Sequence, residues 1–472
     1  MKNEIMLITY ADSLGNNLSE LEKVLKQYFY GAVGAVHILP FFPSSADRGF
    51  APICYDEVDE RFGNFDDVRR LADEYDLMFD FMVNHISKHS LYFKDFLLHG
   101  EQSPYRDFFI NYQQFWGGEP SEEELSKIYR RNPRAPYIEV QFADGNSEKL
   151  WCTFSEEQID INVSSEVTKQ FICKTLEDMC RRGAKIIRLD AFAYAVKKRG
   201  SSCFFAEPEI WELLSWIQGI TQPYGVEILP EVHEHYSIAL KLAEHGYWTY
   251  DFALPLLLLH ALYTGRTDRL VHWLTICPRR QFTTLDTHDG IGVVDAVDLL
   301  TQEEIDETKE WLFSKGANVK RIYNTEQYNN LDVYQVNCTY YSALGNDDKA
   351  YLLARAIQFF APGIPQVYYV GMLAGKNDIA LLEETKEGRN INRHYYSMEE
   401  VKEEVQRPVV RALLSLMRFR NRCAAFSGEI SLQAQGSMLT IRRINGASEA
   451  ELSADLKTHD FTVYENGNPL DF

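Results

Sequence analysis

The sequence predicts an α/β protein, a (β/α)8 TIM barrel. Three observations predict it. Short apolar runs alternate with amphipathic helical stretches eight times along the chain. Charged residues recur where those runs end. The chain has 472 residues, which suits one barrel of about 250 residues with insertions and an appended module.

The elements follow in order. Residues 6–10 read as the first strand and 18–28 as its helix. Residues 34–39 are the second strand, 66–75 a helix and 77–83 the third strand. After an interruption come a helix over 166–182, a fourth strand over 185–189, a helix over 209–218 and a fifth strand over 226–229. A helix over 238–244 and a sixth strand over 248–252 continue the pattern. Helices over 254–263 and 270–277 precede a seventh strand over 281–285. A helix over 350–360, an eighth strand over 366–369 and a helix over 409–420 close it. Apolar runs of this length are buried parallel strands when helices separate them. An open doubly wound sheet is the alternative, but neither GxGxxG nor GxxxxGK[ST] follows the first strand.

Two interruptions are too long for ordinary βα loops, and insertions on that face of a barrel shape active sites. The expected division is a barrel from 1–84, 165–290 and 346–425, with an insertion domain at 85–164 after strand three. A second insertion at 291–345 follows strand seven and carries an acceptor-side loop. A small C-terminal β domain at 426–472 follows, with strands expected at 438–444 and 460–464.

A net charge of −21 opposes binding to nucleic acid and to anionic membranes. The N-terminal apolar run is short for a signal peptide, and no apolar run approaches the length of about 18 residues that a membrane span needs. The eight cysteines are scattered with no CxxC pair, as in a cytoplasmic chain with free thiols. Aromatics at 13% suit stacking on sugar rings, and a large core equally well.

The chemistry lies at the strand ends. Asp80, Asn84 and His85 end strand three, and Arg188 and Asp190 end strand four. Glu231 and His233 end strand five, and His288 and Asp289 end strand seven. A single Asp after a strand is as often a helix N-cap, and a single His is more often a satisfied core residue. Zinc is a further alternative, but His233 and His235 supply two ligands where three or four are needed, so no metal is expected. Taken jointly, three carboxylates at strand ends suit retaining cleavage of a glycosidic bond. That reaction needs a carboxylate nucleophile and a carboxylic acid about 5–5.5 Å apart. Arg188 shares a strand face with Asp190 and would keep it ionised.

These spaced motifs resemble the four signature regions of the α-amylase superfamily. Nearly the whole chain further resembles its sucrose phosphorylases, in the stretches 7–12, 36–42, 47–50, 250–255, 285–292, 330–335, 340–345 and 388–396. The likeness weakens in the first insertion and the tail.

The resemblance implies roles. Asp190 is the nucleophile, Glu231 the general acid/base and Asp289 the transition-state stabiliser. Asp47, His85, Arg188, His288 and Arg389 grip the transferred glucose, between walls made by Phe50 and Phe154. Tyr194, Val232, Asp332, Tyr334 and Gln335 line the acceptor side. Arg131 and Arg134, in the basic run Arg130–Arg134, are candidates for holding phosphate. The substrates implied are sucrose and inorganic phosphate, the products fructose and glucose 1-phosphate, with no cofactor. Tyr334 points to sucrose rather than sucrose 6′-phosphate, because members preferring the latter tend to carry His there. The alternative is sucrose 6′-phosphate phosphorylase or another glucoside phosphorylase or hydrolase of the superfamily.

Overall fold

The computed structural model describes residues 1–130, 134–317 and 335–472. Eight strands of the described residues share one sheet: β1 (Met6–Thr9), β2 (Ala35–Ile38), β3 (Asp76–Met82), β4 (Ala184–Asp190), β5 (Glu227–Pro230), β6 (Thr249–Asp251), β7 (Gln281–Thr283) and β8 (Ile364–Tyr368). Their order is β6-β7-β8-β1-β2-β3-β4-β5, the cyclic order of a (β/α)8 barrel. The fold is the one the sequence predicts.

Helices between the strands start where short polar side chains cap them. Asn17 accepts from the Glu20 amide before helix Leu18–Tyr28. Asn64 and Asp67 form a reciprocal capping box before helix Phe65–Glu74. Ser165 caps helix Glu166–Arg181. Each cap satisfies amides that the first helical turn leaves unpaired.

By backbone contacts the described chain divides into two compact units, one of residues 1–37, 233–317 and 335–472, the other of 38–232. The smaller unit holds β3, β4 and β5. There β3 pairs with β4 in parallel, placing Asp80 opposite Arg188 and Met82 opposite Asp190. β4 pairs with β5, placing Leu189 opposite Pro230. Between β3 and β4 lie helices Leu91–His99, Tyr112–Trp116 and Glu122–Lys127. A hairpin of Tyr137–Gln141 with Ser147–Trp151 follows. Strand His85–Ser87 pairs antiparallel with Gln158–Asp160. Tyr112, Trp116, Ile128 and Trp151 of this stretch form a buried cluster with Cys203, which follows β4.

The larger unit holds β1, β6, β7 and β8. After β7, strand Ile291–Gly292 pairs with Gln335–Val336, and helix Gln302–Ser314 lies between them in the chain. The tail is a five-stranded antiparallel meander: Glu429–Gln435, Met438–Asn445, Ser448–Asp455, Phe461–Glu465 and Asn468–Leu470. The sequence reading has only two of these strands. Its buried face is built from Leu439, Ile441, Ala450, Leu452, Ala454 and Val463.

The eight cysteines are all free thiols. Among the described residues no helix is long and apolar enough to cross a membrane.

Candidate active site

In the smaller unit one arginine organises three carboxylates. Arg188 Nη1 donates to Asp80 and, at 2.9 Å, to Asp190 Oδ1. Its Nη2 lies 3.6 Å from Glu231 Oε1. Arg188 is 3% exposed and Asp80 fully buried, so these charges are tolerable only because they compensate one another. The sequence assigns Arg188 to Asp190; the structure shares it with Asp80 and Glu231 as well.

The chain turns sharply after the β4 carboxylate. Ala191 has φ 51°, the left-handed region, a placement that costs a non-glycine residue about 1–3 kcal/mol. The turn lets the Ala191 amide donate to Glu231 Oε2 at 3.0 Å. The Glu231 amide donates to Leu189 O at 3.0 Å. Pairing of β4 with β5 thus runs on past the strand, and Glu231 is held by the residues that flank Asp190.

Around these groups lie rings. Phe50 is buried, with the Arg188 guanidinium 5.8 Å from its ring centroid. The Phe154 ring packs edge-on at 5.5 Å to His85 and 5.1 Å to Tyr194. The Phe50 carbonyl accepts from Gln158 Nε2 at 3.0 Å and lies 2.9 Å from His85 Nε2. Burial pushes the His85 imidazole below its ordinary range, against Asp160, that carbonyl and Asp47. Asp47 and Arg48 both have positive φ, and Gly49 has φ 112°. A Cβ at Gly49 would stand 2.5 Å from Pro40 O, so this tight loop requires glycine there.

In the larger unit the candidate carboxylate is Asp289, on the loop after β7. Its Oδ1 is 3.1 Å from Arg389 Nη1 and its Oδ2 is 3.6 Å from His288 Nε2. Burial works to raise the Asp289 carboxyl. The charges of Arg389, His288, His233 and Arg393 outweigh it and hold the group well below the usual carboxylate range. The His288 ring stands edge-on to Tyr10, centroids 6.3 Å apart. Gln335 Oε1 accepts from the Gly290 amide at 3.2 Å. The histidines weighed as zinc ligands contact protein groups. His233 stacks on Phe252 at 3.7 Å with Asp295 Oδ2 3.5 Å away, and His235 bonds Ser237 and Asp298.

A family model described as alpha amylase, catalytic domain, matches residues 9–237. The sucrose phosphorylase of Streptococcus mutans is 56% identical, over 100% of this chain and 99% of that protein. The chain belongs to the sucrose phosphorylase family, within the alpha-amylase superfamily. The sucrose 6(F)-phosphate phosphorylase of Thermoanaerobacterium thermosaccharolyticum is 45% identical over 100% and 99%. The crystal structure of a sucrose 6F-phosphate phosphorylase from Thermoanaerobacter thermosaccharolyticum superposes with TM-score 0.95 at 44% identity, covering 100% of this chain and 98% of that one.

Of the other candidates in this family member, Val232 is half-buried beside Glu231. Arg134 donates to Phe154 O at 3.1 Å and lies 3.3 Å from Glu156, so it braces the Phe154 segment. Arg131, Asp332 and Tyr334 lie outside the described residues.

Sequence reasoning misses a buried lysine. Lys197 Nζ is 2.7 Å from Asp160 Oδ2 and donates to Asn84 Oδ1 at 2.8 Å and to the Tyr194 carbonyl. Asp160 in turn accepts from the Thr153 amide at 2.8 Å and from its hydroxyl at 2.6 Å. One ammonium therefore ties together the segments that carry His85, Phe154 and Tyr194. No local signal could reveal it, since its partners meet only when Gln158–Asp160 pairs with His85–Ser87.

Proposed function

We propose that this chain is a cytoplasmic sucrose phosphorylase, moving the α-glucosyl group of sucrose onto inorganic phosphate. The observation that carries the reading is the single guanidinium of Arg188 set against both Asp190 and Glu231. Two carboxyl groups held from one cation suit a nucleophile and an acid/base that act on the same glycosidic carbon.

Asp190 attacks the anomeric carbon while the bond to fructose breaks and Glu231 gives its proton to the leaving oxygen. A β-glucosyl ester of Asp190 results. Glu231, now a base, takes the proton of the incoming phosphate as a phosphate oxygen displaces Asp190. The product is α-glucose 1-phosphate. Asp289, kept anionic by Arg389 and its histidine neighbours, stabilises positive charge at the anomeric carbon in both steps. His85, Arg188, His288, Arg389 and Asp47 bind glucose hydroxyls between Phe50 and Phe154, and Tyr194, Val232, Asp332, Tyr334 and Gln335 serve the acceptor side. Arg131 and Arg134 are the phosphate candidates. No cofactor takes part. Stretches 85–164 and 291–345 act as insertions on the barrel of 1–84, 165–290 and 346–425, with 426–472 as an appended β domain.

The second reading is a preference for sucrose 6′-phosphate, favoured by the 0.95 TM-score to a structure of that specificity. Comparing kcat/KM for the two sugars decides between them. Unphosphorylated sucrose is expected to win, and a clear preference for the phosphorylated sugar overturns the donor assignment.

A further inference from the structure

Asp289 lies beyond the end of β7, on a loop whose main chain is gripped by two consecutive side chains. Asn392 Nδ2 donates to the Thr287 carbonyl at 3.0 Å, and Arg393 Nε donates to the His288 carbonyl at 3.0 Å. The Asp289 amide donates to Thr287 Oγ1 at 3.1 Å. Asn392 and Arg393 are 3% and 4% exposed, so neither bond competes with water.

The gripping segment is itself fixed to the end of β8. The Tyr368 hydroxyl donates to Asn392 O at 3.0 Å, and the Tyr369 hydroxyl to His394 O at 2.7 Å. The same segment carries Arg389, 3.1 Å from Asp289. Beneath the loop, Asp286 is locked to Arg355 by contacts of 2.7 and 2.8 Å. The stretch leading to Asp289 is therefore held twice, by Asn392 and Arg393 on a segment tied to β8 and by Arg355 on the helix Asp348–Phe360.

We propose that Asn392 and Arg393 are positioning residues: a clamp tied to the end of β8 by Tyr368 and Tyr369 that sets Asp289 by holding the carbonyls of Thr287 and His288. The proposal rests on the glucosyl-transfer reading above. A group that stabilises charge in a transition state must hold its place to within about 0.5 Å, and a displacement of about 1 Å costs about 100-fold in rate. Loss of either donor leaves a buried carbonyl without its partner, and the loop shifts to find another.

Asn392→Ala and Arg393→Lys test this, the second keeping the charge while losing the fork geometry. Each is expected to lower kcat by about 10–100-fold, with KM for sucrose within about threefold. The loss is expected to be equal on sucrose and α-glucosyl fluoride, because Asp289 serves every donor. In an Asp289→Asn background, read on α-glucosyl fluoride, either substitution is expected to add less than about threefold, since the group being positioned is gone. The same added loss in both backgrounds overturns the proposal. So does a change in KM alone, or an unchanged kcat in folded protein. Failure of both variants to fold also counts against it, placing the segment's role in core packing. These are ratios to the parent on α-glucosyl fluoride, so a wrong sucrose assignment would leave them readable.

Discussion

Arg188 stands 2.9 Å from Asp190 and 3.6 Å from Glu231, and it is 3% exposed. Replacing it by Met would leave the buried Asp80 and the partly buried Asp190 with no countercharge from that position. Breaking a buried pair in this way costs about 3–5 kcal/mol. Arg188→Met is expected to lose about that much in urea unfolding, and to lose kcat/KM by more than about 100-fold. Near-parental values would show that the carboxylates do not depend on it.

The two carboxylates are expected to fail differently. Asp190→Asn should lose several orders of magnitude on every donor, because an amide is a poor nucleophile. Glu231→Gln should lose about 10²–10⁴-fold on sucrose, yet keep most of its glucosylation rate with α-glucosyl fluoride, whose leaving group needs no proton. Azide should then release an α-linked product. Equal losses on both donors, with no effect of azide, would remove Glu231 from the acid/base role.

Lys197 and Asp160 form a buried pair 2.7 Å apart. Lys197→Met strands the Asp160 charge and is expected to cost about 3–5 kcal/mol. Lys197→Met with Asp160→Asn should recover a large part of that loss, because the stranded charge is gone. If the double variant is no more stable than the single one, the pair contributes through packing rather than charge.

Asp251 ends β6 and is 1% exposed. Burial pushes its carboxyl up to about 7, against hydrogen bonds from Leu254 and Trp273. The unfolded chain releases that proton near pH 3.9. Between about pH 4 and 7 the folded state therefore binds the extra proton. The stability due to this group is complete at acid pH, declines as pH rises through that window, and is gone above about 7. Asp251→Asn abolishes the slope. The stability of the parent relative to this variant should fall by up to about 1.4 kcal/mol per pH unit between pH 5 and 7, read from urea melts. A flat difference would place the carboxyl in its ordinary range.

Much of this was legible from the residues. The helix at Leu18–Tyr28 has the bounds the sequence predicts, and the barrel strands lie within a few residues of theirs, because buried parallel strands are continuous apolar runs. Strand Ser448–Asp455 was not legible. Its inward positions are Ala450, Leu452 and Ala454, and alanine favours helix over strand in isolation. The short elements between β3 and β4 were missed because their aromatic residues pack across the stretch rather than at a helical or strand period. Asp190 and Glu231 stood out because each terminates a strand or follows one directly. The Lys197–Asp160 pair and the grip of Asn392 and Arg393 on the β7 loop did not, since each joins segments far apart in the chain.

The reaction proposed is a retaining transfer of glucose from sucrose to phosphate through Asp190. Proton NMR of the first-formed product, with sucrose and inorganic phosphate as the only substrates, tests it most directly. Two successive inversions at one carbon restore the starting configuration, so α-glucose 1-phosphate should appear first, at a rate that depends on phosphate. Initial β-glucose 1-phosphate, or glucose released at the same rate without phosphate, would rule out double displacement onto phosphate.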